Sequence, residues 1–517
     1  MKEISRLLLR IKLVRYLVSG GTAALINFLL LFALTEFLEV WYLASAVIAF
    51  IVSFCASFTL QKFWTFRDGR LSAAPRQMVQ HLSLAVGMIA LDTVFLYLAV
   101  EILGLWYMLA QFIIFGALAV GSFFIYSRYI FKKPPQADDR GKKTIVIATG
   151  VYPPEIGGPA TYVRLLEEGL PRDKFLLRVV PFRSVRGYPK ILRHLMYALL
   201  LCAEAEGSDA IFAQDPVSVG APALMAAWGS RKQFILKIVG DYAWEQFQTQ
   251  NAKRKAQNNA AKHTTVEQFQ NGKYDFVTEA RRAVQKFVVR RAEKVIVPSE
   301  YLAGIVRGWG VASERITVIY NAFTPVALEK SKEELRLALG LQGKVIATAG
   351  RLVPWKGFDT AICALNDIVK DIPDASLVIM GSGPDFSKLQ SIAYATGLGG
   401  KVRFTQMLPH EEMLAYIKAS DLFMLPTYYE GFSHLLLEVM AVGTPIITTP
   451  MGGNLELITP RREGVLVAPQ YPAGFSSEAK RLLLDPNESH ALVQNAKARV
   501  AQFSVERMIR ETTGALA

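Results

Sequence analysis

Cysteine is nearly absent: the 517 residues contain three, Cys55, Cys202 and Cys363, far apart and with no C-x-x-C pair. That argues against a disulfide framework, a zinc ribbon or a dithiol redox site, and each thiol reads as a small buried hydrophobe. Charge is sparse, at 20% of residues, and acidic side chains are the rarer kind, 44 against 58 Lys and Arg for a net charge of +14. Basic chains attract nucleic acid, anionic lipid or phosphorylated ligands. No C2H2 spacing, RNP-type aromatic strand or long Lys/Arg tract is present, which leaves nucleic acid the weakest of the three. Glycine (37) and proline (24) are near average usage, so a collagen-like or wholly disordered chain is excluded. What is plentiful is apolar side chain, 52% of residues, with a mean hydropathy of +0.26. Membrane-embedded sequence is therefore expected, and the length suggests about three domain-sized units.

Four apolar stretches, 14–34, 42–60, 82–100 and 107–126, are each near the roughly 20 residues that cross a hydrocarbon core as helix. Lys and Arg gather at Lys2, Arg6, Arg10, Lys12 and Arg15, at Lys62, Arg67, Arg70 and Arg76, and at Arg128, Lys132 and Lys133, while the connections 36–41 and 101–106 hold none. The positive-inside rule then puts both ends, the middle loop and the soluble remainder in the cytoplasm of a bacterial-type inner membrane. No small-residue cleavage site follows the first span, so it reads as retained.

An internal repeat at an offset of 65 residues lays Trp41-Tyr42 on Trp106-Tyr107, Glu36 on Glu101, Ser57 on Ser122, Phe66 on Phe131 and Asn27 on Asp92. Two helical hairpins thus repeat in parallel, with the Trp-Tyr pairs as interfacial anchors. An Asp near the bilayer centre costs roughly 2.5–3.5 kcal/mol on insertion scales and should face protein or a polar cavity. Asn27 and Asp92 either line a site for a lipid head group or bond helices together. Residues 10–133, with Lys62-x-Trp64-x-Phe66-Arg67 closing the second span, resemble the GtrA-like family of four-span proteins. The resemblance implies an association with polyprenyl-phosphate-linked sugars, as flippase or anchor.

A polar, Pro-led linker occupies 134–143. Beyond it β-like runs at 145–148, 177–180, 210–213, 233–239 and 294–297 alternate with helical patterns, and a second series follows at 345–349, 377–380, 402–404, 422–425, 445–448 and 464–467. Alternation of this kind implies parallel sheets covered on both faces, here two Rossmann-like lobes with a ligand cleft at the carboxyl ends of their strands. An N-lobe at 144–325, a C-lobe at 326–495 and a C-terminal helix in 496–517 that returns to the N-lobe are expected. The helical stretch 242–291 is rich in charge, with Lys253, Arg254, Lys255 and Lys262 preceding Arg281, Arg282, Arg290 and Arg291. A solvated face is the plain reading, and together with Arg183, Arg186, Lys190 and Arg193 some of these residues are expected to approach anionic lipid.

Glu430-Gly431-Phe432-Ser433-His434-Leu435-Leu436-Leu437-Glu438 follows a strand ending at Leu425-Pro426 and opens an apolar helix. Backbone N–H groups at such a helix start suit an anion. The E-x7-E pair resembles glycosyltransferase family 4, retaining enzymes of the GT-B fold. Gly350-Arg351-Leu352-Val353-Pro354-Trp355-Lys356-Gly357 matches the family's G-R…K-G loop, Gly381-Ser382-Gly383-Pro384 its G-x-G-P turn, and Tyr152-Pro153-Pro154 with Gly157-Gly158 its N-lobe glycine loop. Pro298-Ser299, Gly443-Thr444-Pro445 and Gly452-Gly453 with Glu456 agree with it as well.

The resemblance implies a chemistry that suits these residue types. Breaking a glycosyl–phosphate bond builds charge on a nucleoside diphosphate, which cationic side chains and oriented N–H donors stabilise. Arg351 grips phosphate as a planar fork and Lys356 as a compact charge, with Ser433 at the positive end of a helix. Glu430 would touch the donor sugar and Glu438 the ribose hydroxyls. Gly157, Gly158 and Gly350, with Phe432, His434 and Leu435, would complete the donor site. The chain has no D-x-D triplet, so neither metal nor other cofactor is expected. Where many members carry a His, Ile238-Val239-Gly240-Asp241-Tyr242 offers Asp241, either a carboxylate at the acceptor or a turn former. His434 is either an acid–base group or a packed helix residue. The expected activity is transfer of a sugar from a nucleotide donor to a membrane-associated acceptor such as a polyprenyl-linked glycan or lipid. The alternative is a lipid-linked-sugar flippase whose soluble half loads or senses cargo.

Overall fold

The computed structural model describes residues 12–66, 68, 73–131, 141–155, 157–255, 264–323 and 328–517. Most of the linker, Lys262 and the flanking basic residues Lys2, Arg6, Arg10, Arg67, Arg70, Lys132 and Lys133 lie outside them. Two compact units are present, Met1–Arg140 and Gly141–Ala517.

The first unit holds four apolar helices, α1 (Lys12–Glu36), α2 (Tyr42–Thr59), α3 (Ala74–Tyr97) and α4 (Tyr107–Ile125), each long and apolar enough to cross a membrane. They pair as two hairpins, and the repeat is visible atom by atom. Trp41 and Trp106 precede α2 and α4 with nearly the same backbone angles. Phe66 and Phe131 each donate a backbone N–H five residues back, to Gln61 and Tyr126 at 2.8 Å, and their rings stack 4.9 Å apart. Both second helices end in a π-helical turn, Leu60–Thr65 and Tyr126–Ile130.

Two basic residues expected on a wet rim prove to be internal. Arg15 is 5% exposed and Lys62 not at all. Arg15 donates to the Trp64 carbonyl at 2.9 Å, while the Lys62 ammonium meets Gln77 Oε1 at 2.6 Å and Asp68 at 3.7 Å. Gln77 in turn donates to Asp68 and to the Ile130 carbonyl. A buried cation is tolerable when paired and hydrogen-bonded, and this cluster ties the ends of three helices together. Asn27 and Asp92 also find protein partners, Asn27 donating to Ser53 Oγ at 3.1 Å and Asp92 accepting from Gln111 at 2.9 and 3.2 Å. Asn27 lines, in addition, an open groove of about 340 Å³ shared with Ser53, Ser57, Gln61 and His81.

The second unit contains two six-stranded sheets. The N-lobe strands are β1 (Lys143–Thr149), β2 (Phe175–Pro181), β3 (Ala210–Ala213), β4 (Gln233–Lys237), β5 (Lys294–Val297) and β6 (Ile316–Val318), in spatial order β2-β1-β3-β4-β5-β6. The C-lobe strands are β7 (Val345–Ala349), β8 (Ser376–Met380), β9 (Val402–Gln406), β10 (Leu422–Leu425), β11 (Ile446–Thr448) and β12 (Val465–Leu466), in order β12-β11-β10-β7-β8-β9. All pairings are parallel, and the central strands are buried on both faces, as continuous apolar runs demand. This is the GT-B architecture.

The helices that matter for the site are α5 (Gly158–Gly169), α6 (Lys190–Glu204), α7 (Gly220–Ser230), α8 (Tyr242–Lys255), α9 (Phe276–Arg291), α10 (His434–Val442) and α11 (Val505–Leu516). The C-terminal segment begins inside a helix, Pro486–Val500. α11 then packs on the N-lobe, burying Met508 and Leu516 in its core, with Thr512 bonded to Tyr162 of α5.

Candidate active site

The cleft between the lobes is built from strand ends and glycine-permitted turns. A side chain at Gly357, whose φ is +69°, would strike the Pro426 carbonyl at 2.0 Å, and one at Gly431 would strike Val239 O at 2.3 Å. The loop after β7, the loop after β10 and the end of β4 therefore meet backbone to backbone. Ser433 caps α10 by accepting the Leu436 N–H at 3.3 Å, and the helix geometry leaves the His434 and Leu435 N–H groups without an intrahelical acceptor. Phe432 packs between Tyr320 and Phe503 and fixes the turn.

Arg351, Lys356 and Glu430 converge in this cleft. Lys356 Nζ lies 2.5 Å from Glu430 Oε1. Arg351, from the loop opened by Gly350, stands over the Trp355 ring and reaches 3.6 Å to Glu245 Oε2 on α8 of the other lobe. Glu245 was not foreseen from the sequence. Burial pushes its carboxyl up to about 7, against the pull of Arg351, with Asp241 raising it further, Lys356 lowering it and Glu430 raising it. Glu438 Oε1 accepts from His410 Nε2 at 2.9 Å, and this contact raises the imidazole's affinity for a proton. His410 too escaped the sequence reading, since it lies 28 positions from Glu438 with no local pattern linking them.

Other expected residues take different places. Asp241 is 1% exposed, and its carboxylate is consumed by the Trp244 N–H, Gln270 and Gln285 at 3.1, 2.7 and 3.0 Å. These bonds anchor the start of α8, the place of the turn-forming alternative. Gly158 comes against His434 with room for an ordinary contact, at 3.6 Å. Burial pulls the His434 imidazole down to about 4, aided by the Lys237 ammonium, which makes it a neutral packed group near pH 7. Lys237 is itself buried over the Tyr162 ring at 3.2 Å, near Asn321, which donates to the Phe432 carbonyl. Arg183 and Arg186 brace the N-lobe loop, Arg183 through the Pro153 carbonyl and Arg186 through Glu155.

The lobes are clasped by further bonds. Ser299 Oγ donates to the Gly431 carbonyl at 2.6 Å. Glu456 accepts the N–H groups of Glu300 and Tyr301 at 2.9 and 2.8 Å. An apolar cluster of Trp244, Phe269, Trp355 and Tyr429 closes the cleft beside Arg351.

Three family models tile the chain: the GtrA/DPMS transmembrane domain over residues 15–131, a glycosyl transferase 4-like domain over 146–322 and glycosyl transferases group 1 over 330–499. A D-inositol 3-phosphate glycosyltransferase of Corynebacterium urealyticum is 29% identical over 248 residues, 45% of this chain and 58% of the relative. The chain spans about three fifths of the length of the curated relatives it matches. Among solved structures, a sucrose-phosphate synthase from Thermosynechococcus elongatus superposes with a TM-score of 0.56 at 21% identity, covering 72% of this chain and 98% of that one. HepE of Anabaena, solved with UDP-glucose, superposes with a TM-score of 0.55 at 19% identity, covering 72% of this chain and 99% of its own. The chain belongs to the glycosyltransferases of GT-B fold, family 4, joined to a GtrA-like transmembrane domain.

Proposed function

We propose that the protein is a membrane-anchored retaining glycosyltransferase that takes its sugar from a nucleotide donor and passes it, without a metal ion, to a lipid or polyprenyl-linked acceptor at the cytoplasmic face of an inner membrane. The observation that carries this reading is the convergence of Arg351, Lys356 and Glu430 around Glu245, in the loops after β7 and β10. In this reading the donor diphosphate displaces the two carboxylates from Arg351 and Lys356. As the anomeric C–O bond breaks, the electrons stay with the leaving phosphate, where the two cations and the α10 N–H groups stabilise them. The acceptor oxygen bonds to the anomeric carbon on the face the phosphate leaves, and its proton passes to the departing phosphate. Glu430 orients the sugar and Glu438 the ribose. The acceptor lies in the membrane because the linker confines the transferase to its surface, raising the effective acceptor concentration.

The test is to reconstitute the full chain in lipid and supply a panel of nucleotide-sugars with and without polyprenyl phosphate, with EDTA present. Release of one nucleoside diphosphate and lipid-borne sugar with unchanged stereochemistry is expected, and loss of transfer on chelation would refute the metal-free reading. The groove holding Asn27, Ser53 and His81 favours a second role, movement of a lipid-linked sugar by the membrane domain. Lipid scrambling that persists in Glu430→Gln would support that role.

A further inference from the structure

α6, α7 and α9 form a layer on one face of the N-lobe sheet, with α7 in the middle. Their outer surfaces are apolar where a water-exposed helix layer should be polar. Among the described residues, eight of the fifteen large exposed apolar side chains of this unit sit on these three helices: Leu192, Leu195, Met225, Trp228, Phe276, Val277, Val284 and Phe287. Phe276 is 87% exposed and Trp228 54%. On α9 the exposed apolar positions recur at helical spacing and run the length of the helix.

Basic side chains outnumber acidic ones around this stripe, with Glu204 ending α6 and Asp275 capping α9. α7 contains no ionisable residue and is followed by Arg231 and Lys232. α9 adds Lys286 and Arg291, while its acid, Glu279, is held by Arg282 at 2.8 Å. Arg291 lies over the Phe287 ring at 3.6 Å and near the Trp228 ring at 5.7 Å, an apolar stem on aromatic rings with a cationic tip at their edge. Aromatic residues beside basic ones suit the boundary between acyl chains and anionic head groups.

Position in the lobe names the occupant. Lys143, where the chain enters from the linker, reaches Gln233 Oε1 at 3.3 Å, beside Arg231 and Lys232. At the opposite end of α9, Tyr274 packs on the aromatic cluster that seals the cleft, two residues from Phe276. The stripe therefore runs from the membrane tether to the lip of the active site. We propose that this face docks on the anionic lipid surface of the membrane to which the chain is anchored, holding the cleft lip at the lipid boundary where a lipid acceptor presents its head group. The inference rests on the membrane-anchored reading above and assigns the surface that meets the bilayer.

The test uses the full chain with its three native cysteines replaced and one new cysteine, Phe276→Cys or, as a control on the C-lobe, Leu337→Cys. Each is labelled with an environment-sensitive fluorophore in vesicles of phosphatidylcholine with or without phosphatidylglycerol. The probe at 276 is expected to brighten severalfold with phosphatidylglycerol and to be quenched by acyl-brominated lipid, while the probe at 337 stays unchanged. Adding Arg231→Glu and Arg291→Glu should abolish the response. Equal behaviour of the two probes, or a response indifferent to these charge reversals, overturns the proposal. Sugar transfer is followed in the same vesicles: transfer with equal probes sinks the docking face alone, whereas a selective probe response with no donor turnover sinks the transferase reading and leaves the docking intact.

Discussion

At the level of single residues, the cleft holds two cations and two carboxylates paired with one another. Arg351→Ala and Glu430→Gln are each expected to lower kcat by about 10²–10³, the usual cost of losing one transition-state contact, with the fold retained by circular dichroism. Glu245 makes a separate prediction. Its proton affinity is raised to about 7 in the folded chain, so it is ionised and competing for Arg351 above that pH and released from it below. Nucleoside diphosphate should therefore bind more tightly at pH 6 than at pH 8, and Glu245→Gln should bind equally at both beyond the ligand's own titration, a difference calorimetry can read. Because this carboxyl is raised, it favours folding fully only below its unfolded value, and that contribution is lost as pH rises through about 7. The E-x7-E pair and the G-R…K-G loop were legible because their partners stand in one stretch of sequence. Glu245 stands in the first turn of α8, where an acidic side chain reads as a complement to the helix dipole before it reads as chemistry. The burial of Lys62 was invisible for another reason, since Asp68 and Gln77 enclose it only after the hairpins pack.

Among the elements, strands were the clearest part of the sequence, since buried parallel strands read as unbroken apolar runs between helical patterns. β6 was missed because it is three residues long and half-buried at a sheet edge. The turns carry tighter demands. Gly357→Ala places a Cβ against the Pro426 carbonyl at a left-handed backbone position, and a loss of about 1–3 kcal/mol of stability is expected, measurable by denaturant unfolding. Ser299→Ala removes the cap on the Leu302 N–H together with the bond to Gly431, and about 1 kcal/mol should be lost from the cap alone. If that serine serves only its own helix, transfer kinetics will not move.

For the whole molecule, the transferase unit is compact without the membrane helices. A chain cut at Gly141 is expected to bind nucleotide as the full chain does, yet to lose about 10²–10⁴ in transfer to lipid acceptor at limiting concentration, the advantage a tether confers. Equal rates in vesicle assays would mean the anchor serves another purpose. The two-unit plan and the two lobes were readable from hydropathy and alternation, and the return of a C-terminal helix to the N-lobe was expected as well; its bounds were not, because the chain stays helical to Val500 and reverses only after it. That reversal has a consequence alongside the hydrogen bonds from Ser299 to Gly431 and from Glu300 and Tyr301 to Glu456. Parting the lobes would mean surrendering these three bonds and the apolar seat of α11 together.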